Sequence, residues 1–395
     1  MKGESMNTIR WLHISDLHYN KIGTQTEAMR DKLPDYIKEI VQERNIDYVF
    51  FTGDARYAPD KDFPDGIKRY FSDICEAAHI DQDRLFIVMG NHDIDRTNTE
   101  RLEAIETTEA TYTANDGVIS PKTIKSLKQG RDEYNALLSE ILPAERYCHH
   151  AASNELHYVV TTDHLNIVHV DSTITYREHN EKDLLIGSYE LRKALKKCDS
   201  RKPTIILSHY SFECFSAIER DAILSLLKQY NVQLWLAGHE HHIITYKDRD
   251  YFYVAHSGNQ TFEKNTTPSF VEGCLDTNSG IGYFTVHFWV SNQDWAVYPT
   301  LAHNRNGNRS RYFFVLDSWL SQNNKYVSQN PETVMRLREY LSSYQGNTFL
   351  QESVKKELQM DNAECDKALN DLKELGIISQ ISVRFNQWKI EQGGK

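Results

Sequence analysis

In the N-terminal part of the chain the apolar positions switch between two periods. Short and almost wholly apolar runs at Trp11 to Ile14, Tyr48 to Phe51 and Leu85 to Met89 have the length and composition of buried strands. Between them, Thr26 to Arg44 repeats apolar residues at helical spacing, with Met29, Leu33, Ile37 and Val41 on one stripe, and Ile67 to Ala78 predicts a second helix. Strand, helix, strand, helix is the rhythm of a layered α/β core. Further strands are expected at Glu155 to Thr161, Leu165 to Val170, Thr204 to Leu207 and Val232 to Leu236, with a helix over Ser188 to Lys197. From Tyr251 the pattern turns to short strands at Tyr251 to Ala255, Ile281 to Val290 and Ala296 to Thr300, enough to complete a second sheet.

Two stretches break this rhythm. Residues 97–150 contain helical runs such as Pro121 to Leu142 but no clear strand, which predicts an inserted helical segment. It follows Gly90 to Asp93 directly, where it would serve either as a substrate-selecting cap or as a plain elaboration of the rim. The main domain is expected over 8–318, with a polar linker at 319–331. Beyond it, Glu332 to Tyr344, Leu350 to Leu358 and Asn362 to Leu375 read as helices, the last stopping at Gly376, a residue suited to a helix C-terminus. Ile377 to Val383 and Arg384 to Ile390 are β-prone, so residues 332–391 resemble a winged-helix domain. In that motif the third helix reads the major groove. Here it carries Glu364, Asp366, Asp371 and Glu374 against Lys367 and Lys373. Phosphates dominate nucleic-acid affinity, so a protein partner or self-association through 332–391 is favoured, while Lys355, Lys356, Arg384 and Lys389 keep DNA binding open.

Five of the strand-like runs end in residues able to hold a metal. These are Asp16 and His18 in Ser15-Asp16-Leu17-His18, Asp54 after Gly53, Asn91 in Gly90-Asn91-His92-Asp93, His209, and His239 and His241 after Gly238. Ligands of open α/β sheets bind beyond the carboxyl ends of the strands, so these loops would converge on one centre. Imidazole nitrogen mixed with carboxylate and amide oxygen suits Mn, Fe or Zn; an all-oxygen set would suit Mg or Ca, and thiolates structural zinc. Seven ligands are too many for one tetrahedral ion. Two divalent ions sharing a carboxylate fit better, an arrangement that activates a bridging hydroxide and clamps a phosphoryl group. Against Asp16, Asp54 and a hydroxide, two such ions leave about one positive charge for an anionic substrate.

Any one of these motifs alone reads as an ordinary turn. Tyr19 and Arg56 lie beside ligands, and they and His242 are candidate substrate contacts or rim packing. His13 reads as a core side chain, His256 stays open between pocket and structure, and His149, His150 and His157 read as surface. His303 to Arg311 is a polar turn with Arg305, Arg309 and Arg311, either a solvated hairpin or forks suited to phosphate.

Taken in order, Asp-x-His, Gly-Asp, Gly-Asn-His-Asp, His and Gly-His-x-His resemble the calcineurin-like metallophosphoesterase superfamily. The resemblance implies a four-layer αββα sandwich with a dinuclear site at one edge. It implies Asp16, His18 and His241 on one metal, Asn91, His209 and His239 on the other, and Asp54 between them. His92 resembles the histidine that assists the leaving oxygen, with Asp93 orienting it. Protein phosphatases of this superfamily continue Gly-Asp with Asp-Arg-Gly, whereas Ala55-Arg56-Tyr57-Ala58 follows here. Gly-Asn-His-Asp looks more like the cyclic-nucleotide phosphodiesterases and the double-strand-break repair nucleases. The expectation is therefore a metal-dependent phosphoric ester hydrolase, a phosphodiesterase or nuclease acting on a nucleic acid or nucleotide, with Mn favoured and Fe or Zn as alternatives. A phosphomonoesterase and a non-catalytic winged-helix DNA-binding or adaptor protein are the competing readings.

Composition narrows this little further. Forty percent hydrophobic and 26% charged residues are ordinary for a globular protein. A net charge of -11 argues against a general nucleic-acid-coating role, although a local cationic centre remains compatible with a nuclease. Six cysteines without Cys-x-x-Cys spacing read as reduced thiols. Neither a long apolar run nor an apolar signal region occurs, so a cytoplasmic protein without membrane contact is expected; Met6 leaves residues 1–5 open to an alternative start.

Overall fold

Two sheets built around parallel strands carry the loops that hold the candidate ligands. They are seen in a computed structural model that describes residues 8–57, 63–151, 155–263, 266–290, 294–299, 302–304, 307–344 and 346–391. In the first sheet the order is Asp294–Val297, Ile281–Val290, Ser269–Asp276, Thr8–Ile14, Tyr48–Phe51 and Leu85–Ile87. Trp11 pairs with Tyr48 and Val49 with Leu85, both in parallel register. The second runs Tyr158–Thr161, Asn166–His169, Thr204–Ser208, Leu234–Ala237, Phe252–His256 and Thr245–Asp248, with its inner four strands parallel. Parallel strands are covered on both faces, and for that reason Tyr48–Phe51 is buried throughout and reads as an unbroken apolar run.

Helices cover the outer faces. Leu12, Ile14, Val49 and Phe51 pack with Met29, Leu33 and Ile37 of helix Thr24–Glu43 and with Ile67, Phe71 and Ile74 of helix Asp65–Ala77. On the second sheet, Val168, Ile206, Trp235 and Val254 pack with Leu191 of helix Ser188–Leu195 and with Ile223 and Leu227 of helix Ala217–Gln229. The inner faces meet where the rings of Phe86 and His169 lie 5.7 Å apart and the Tyr48 hydroxyl donates to Thr162 at 2.9 Å. Helix, sheet, sheet and helix thus follow one another through the body.

Two elements escape the sequence pattern for the same reason. Helix Ala217–Gln229 turns Glu219 inward, fully buried, where it accepts from the Ile186 and Gly187 amides and bonds the Tyr112 hydroxyl. Its start is nevertheless signalled, since Ser216 accepts from the Glu219 amide as a cap. Strand Ser269–Asp276 is buried throughout and carries Glu272, which takes both prongs of Arg44 at 2.7 and 2.8 Å.

The insertion is helical, at Thr99–Thr111, Pro121–Leu127, Asp132–Ile141 and Ala144–Ala151. Its apolar side chains are spent on the body: Ile105, Ile124 and Leu127 pack with Leu156 and Ile174, and Tyr134, Leu138 and Ile141 join the core under the first sheet. Arg101, fully buried, donates to the Thr173 and Tyr176 carbonyls. Ala302–Asn304 pairs with Gly307–Arg309 in the arginine-bearing turn, while Arg305 and Asn306 lie outside the described residues.

The chain divides into two compact units, one formed by 10–273 with 284–312 and the other by Thr8, Ile9, Cys274–Tyr283 and 313–391. In the second unit, helices Pro331–Ser343, Gln351–Leu358 and Asn362–Glu374 accompany an antiparallel sheet ordered Thr348–Leu350, Gln387–Ile390, Ile378–Ser382. Asp361 and Glu364 close a capping box at the start of the third helix, and Gly376 follows its end at φ +70°. The stretch 319–331, expected as a linker, contains the end of helix Asp317–Gln322 and is tied down further on, because Tyr326 and Ser328 both donate to the Asp371 carboxylate. Asp371 is therefore internal, which removes one of the charges that make the third helix look acidic in sequence. Arg338 of the first helix meets the buried carboxylate of Asp276. Among the described residues no helix is long and apolar enough to cross a membrane.

Candidate metal centre

Five of the seven candidate ligands sit in left-handed backbone: Asp16 at φ 52°, His18 at 43°, Asp54 at 59°, His239 at 70° and His241 at 55°. Asp and His tolerate this region better than most residues, and such strain collects where a site over-determines the chain. Neighbouring loops brace one another, with the Asp16 amide on Gly53 O at 2.9 Å and the His18 amide on Asp54 O at 3.0 Å. Glycine is required where they touch. A Cβ on Gly90 would stand 2.1 Å from Asp54 Oδ1, and one on Gly53, at φ +101°, 2.8 Å from His209 Nδ1.

Donor atoms face one another at the centre of these loops. His18 Nε2 lies 3.2 Å from His241 Nε2 and 3.9 Å from Asp16 Oδ1. Asp54 Oδ2 stands 3.8 Å from His18 Nε2, 3.5 Å from His209 Nε2 and 4.0 Å from His92 Nε2. Asn91 Oδ1 approaches His209 Nε2 at 2.8 Å. Among the described residues, three groups have potential ligand atoms mutually within 4.8 Å: Asp16, His18, His241; His18, Asp54, His92; and Asp16, Asp54, His209. The outer ring nitrogens are committed elsewhere: His18 Nδ1 to Arg56 O at 3.3 Å, His209 Nδ1 to Thr52 O at 2.8 Å and His241 Nδ1 to Glu263 Oε2 at 2.7 Å. In a neutral ring, donation from Nδ1 leaves the Nε2 lone pair facing inward, the arrangement that second partners impose on metal-bound histidines. Asp16 Oδ1 is buried and lacks a well-aligned hydrogen bond, although His241 Nε2 is 3.2 Å away. Opposed lone pairs and an orphaned carboxylate oxygen fit a cation.

Electrostatics agree. Burial, with the charges of Asp16 and Asp93, pushes the Asp54 carboxyl well above its usual range. Burial would raise Asp16 too, but the neighbouring imidazoles, His241 first, hold it well below. Burial lowers His18 and His239 to about 3 and His92 to about 2, leaving neutral rings. His241 differs: against burial, the carboxylates of Asp16 and Glu263 raise it to about 10. A divalent ion would take over the charge balance that this proton supplies.

The other singled-out residues have defined surroundings. The Asp93 carboxylate accepts from the amides of Gly90, Asp54, Ala55 and Arg56, so it staples two loops together. Arg56 is buried, donates from Nε to His92 O at 3.0 Å and lies over the Phe63 ring. Tyr19 packs under Arg30 and against Gly66, where a Cβ would meet its hydroxyl at 1.9 Å. His242 is exposed and precedes strand Thr245–Asp248. His239 is outside the three donor groups: its Nε2 is 3.7 Å from Glu181 Oε2, and its ring leans on Tyr210. His13 is the hydrogen-bonded core side chain expected, 2.9 Å from Thr52 Oγ1, and His256 is buried with Nδ1 on Gly238 O at 3.2 Å. His157, expected at the surface, is buried between Ile186 O and the Asp171 amide. The side chains of His149 and His150 lie outside the described residues.

Three contributors have no signal in the spacing. Glu263, paired with Lys21, reaches His241 from a distant loop. Tyr57 stacks on His92 with centroids 4.9 Å apart, and Arg96 donates to Asn91 O at 3.3 Å. Of these, Tyr57 alone could have been suspected, as it follows the singled-out Arg56.

Comparison with known proteins adds the following. The chain is 26% identical over 317 residues to an uncharacterized metallophosphoesterase-like protein, YydB, of Bacillus subtilis (strain 168), covering 76% of this chain and 63% of that protein's length. Among solved structures it is similar to a dimetal phosphatase from Danio rerio, at 13% identity and TM-score 0.44 over 73% of this chain and 98% of that one. It is also similar to GAP50, the anchor in the inner membrane complex of Plasmodium, at 16% identity and TM-score 0.42 over 85% and 94%. The sequence model described as calcineurin-like phosphoesterase matches residues 9–242, more than half of the 395-residue chain, and with it the chain belongs to the calcineurin-like phosphoesterase family.

Proposed function

We propose that the protein is a metal-dependent phosphodiesterase whose centre takes two divalent ions, Mn foremost with Fe or Zn as alternatives, and whose substrate is a nucleic acid or nucleotide. Asp16, His18 and His241 would hold one ion and Asn91, His209 and His239 the other, with Asp54 between. One observation carries this reading: Asp54 Oδ2 stands within 3.8 Å of imidazole nitrogens from two separate loops, His18 on one side and His209 on the other. When bound, two such ions would supply the positive charge that polarises a phosphoryl group and acidifies water.

The chain's own residues then have defined tasks. Asp93 keeps the Asp54 and Asn91 loops in register through four amides. His92, a neutral ring braced by Tyr57, would donate a hydrogen bond to the leaving oxygen. A diester is favoured by Gly-Asn-His-Asp and by the lack of Asp-Arg-Gly after Asp54. The order of helices and strands in 332–391 supports a winged-helix-like domain, proposed as a protein contact or self-association surface. Its hairpin exposes Ile381, Val383 and Phe385, a composition better suited to protein than to phosphate.

Metal analysis of the purified protein, followed by Mn-dependent hydrolysis of bis-p-nitrophenyl phosphate and p-nitrophenyl phosphate, tests the proposal. Bound metal and a larger kcat/KM for the diester support it. Preference for the monoester would favour a phosphomonoesterase. Salt-sensitive duplex binding without metal or hydrolysis would favour the adaptor reading.

A further inference from the structure

A cavity of about 420 Å³ is walled by residues that also touch Asn91 and His239. Tyr176, 1% exposed, turns its hydroxyl to the Asn91 side chain. Arg96 lies across that ring, its guanidinium carbon 5.3 Å from the centroid, and bonds the Asn91 carbonyl through Nε. On the other side Glu181 reaches to 3.7 Å from His239 Nε2. The exposed loop that carries Glu178, His179 and Lys182 and the half-buried Asn180 complete the lining. The volume lies within the range of small-ligand pockets.

Two features say what the cavity suits. Arg96 brings to the lining a guanidinium whose planar fork matches oxygen acceptors. The formal charges cancel, Arg96 and Lys182 against Glu178 and Glu181, so the lining offers donors and acceptors without favouring a polyanion. A phosphate would be drawn to the metal side, and an uncharged group rich in hydroxyls or amides to the cavity.

We propose that this cavity holds the uncharged, hydrogen-bonding arm of the ester, a nucleoside or similar group, and that Arg96 is the residue that selects for it. This rests on the hydrolytic reading above and names the substrate class of that same site. Arg96 spans the two parts of the substrate, since it is fixed to Asn91 on one side and lines the cavity on the other.

The test uses Mn-loaded full-length protein and two chromogenic diesters, the p-nitrophenyl ester of thymidine 5′-monophosphate, which carries the arm, and bis-p-nitrophenyl phosphate, which does not. Arg96→Ala should lower kcat/KM for the thymidine ester about tenfold more than for the bis-aryl ester, with Arg96→Lys recovering part of the difference. Equal losses on both esters, or none, overturn the proposal. Metal content and Tm are measured on each variant, because Arg96 also holds the Asn91 backbone. If Arg96→Ala loses metal, Asn180→Ala decides: a selective loss on the thymidine ester supports the cavity, and an unselective one overturns it. Calorimetric titration with thymidine 5′-monophosphate separates the two layers of the argument. Arg96-dependent binding without turnover of either ester would sink the hydrolytic reading and keep the cavity; turnover with binding indifferent to Arg96 would do the reverse.

Discussion

Glu263 accepts from His241 Nδ1 at 2.7 Å while Lys21 holds the same carboxylate, so an ion pair outside the centre decides which nitrogen His241 presents to it. Such partners fix ring orientation and raise ligand basicity. Glu263→Ala should therefore weaken metal binding by about 10–100-fold with little change in Tm. Calorimetric titration with Mn checks this, and an unaltered affinity would mean that packing alone orients His241.

His92 is placed differently from the proposed ligands. Its side chain is 18% exposed, its ring is stacked on Tyr57 and its Nε2 is 4.0 Å from Asp54. His92→Ala should lower kcat by about 10²–10⁴-fold while metal content is kept. Emission spectroscopy of the variant provides the control, since loss of metal would make His92 a ligand instead.

Gly90 leaves no room for a side chain, with Asp54 Oδ1 and Asp54 N within 2.1 and 2.2 Å of a would-be Cβ. These are a backbone atom and an oxygen of a proposed ligand, so relief requires the two loops to part. Gly90→Ala should cost about 1–3 kcal/mol of stability and weaken metal binding as well. Urea denaturation with and without Mn reads both effects; a fully stable, metal-replete variant would contradict the close approach.

The pair of Glu272 and Arg44 sets an acid limit to stability. Glu272 is 1% exposed; burial alone would raise its carboxyl, but hydrogen bonds from His287 and Arg44 outweigh that and take it from the usual 4.5 to about 2. The unfolded chain thus binds the proton more readily. The stabilisation is complete above 4.5 and is lost as pH falls from there towards 2. Glu272→Gln should lower stability at pH 7 by about 3–5 kcal/mol and flatten its decline in that acid window. Parallel pH profiles for the two proteins would refute the assignment.

Much of the framework is legible in one dimension. Tyr48–Phe51 and Thr24–Glu43 announce themselves because burial on two faces of a parallel strand leaves an unbroken apolar run, and burial on one face of a helix leaves a stripe. Ala217–Gln229 and Ser269–Asp276 do not, because each turns an acid into the interior. Glu219 is bonded by Tyr112, and Glu272 by Arg44, both far away along the chain. Asp371 misleads in the same way: it counts as surface charge until Tyr326 and Ser328 are seen to enclose it.

By itself the sequence determined the candidate donors and their order along the chain, since the chemistry of a metal centre is written in residue identity and in the ends of strands. Only the tertiary structure decided which donors oppose one another across Asp54, which nitrogen each imidazole turns inward, and that Asp93 braces loops while Arg96 faces a cavity. Those outcomes depend on Thr52 O, Arg56 O, Glu263 and the bare Cα of Gly90, groups brought beside the ligands by folding. Tautomer and approach distance are properties of neighbours in space, and a linear pattern of residue types does not contain them.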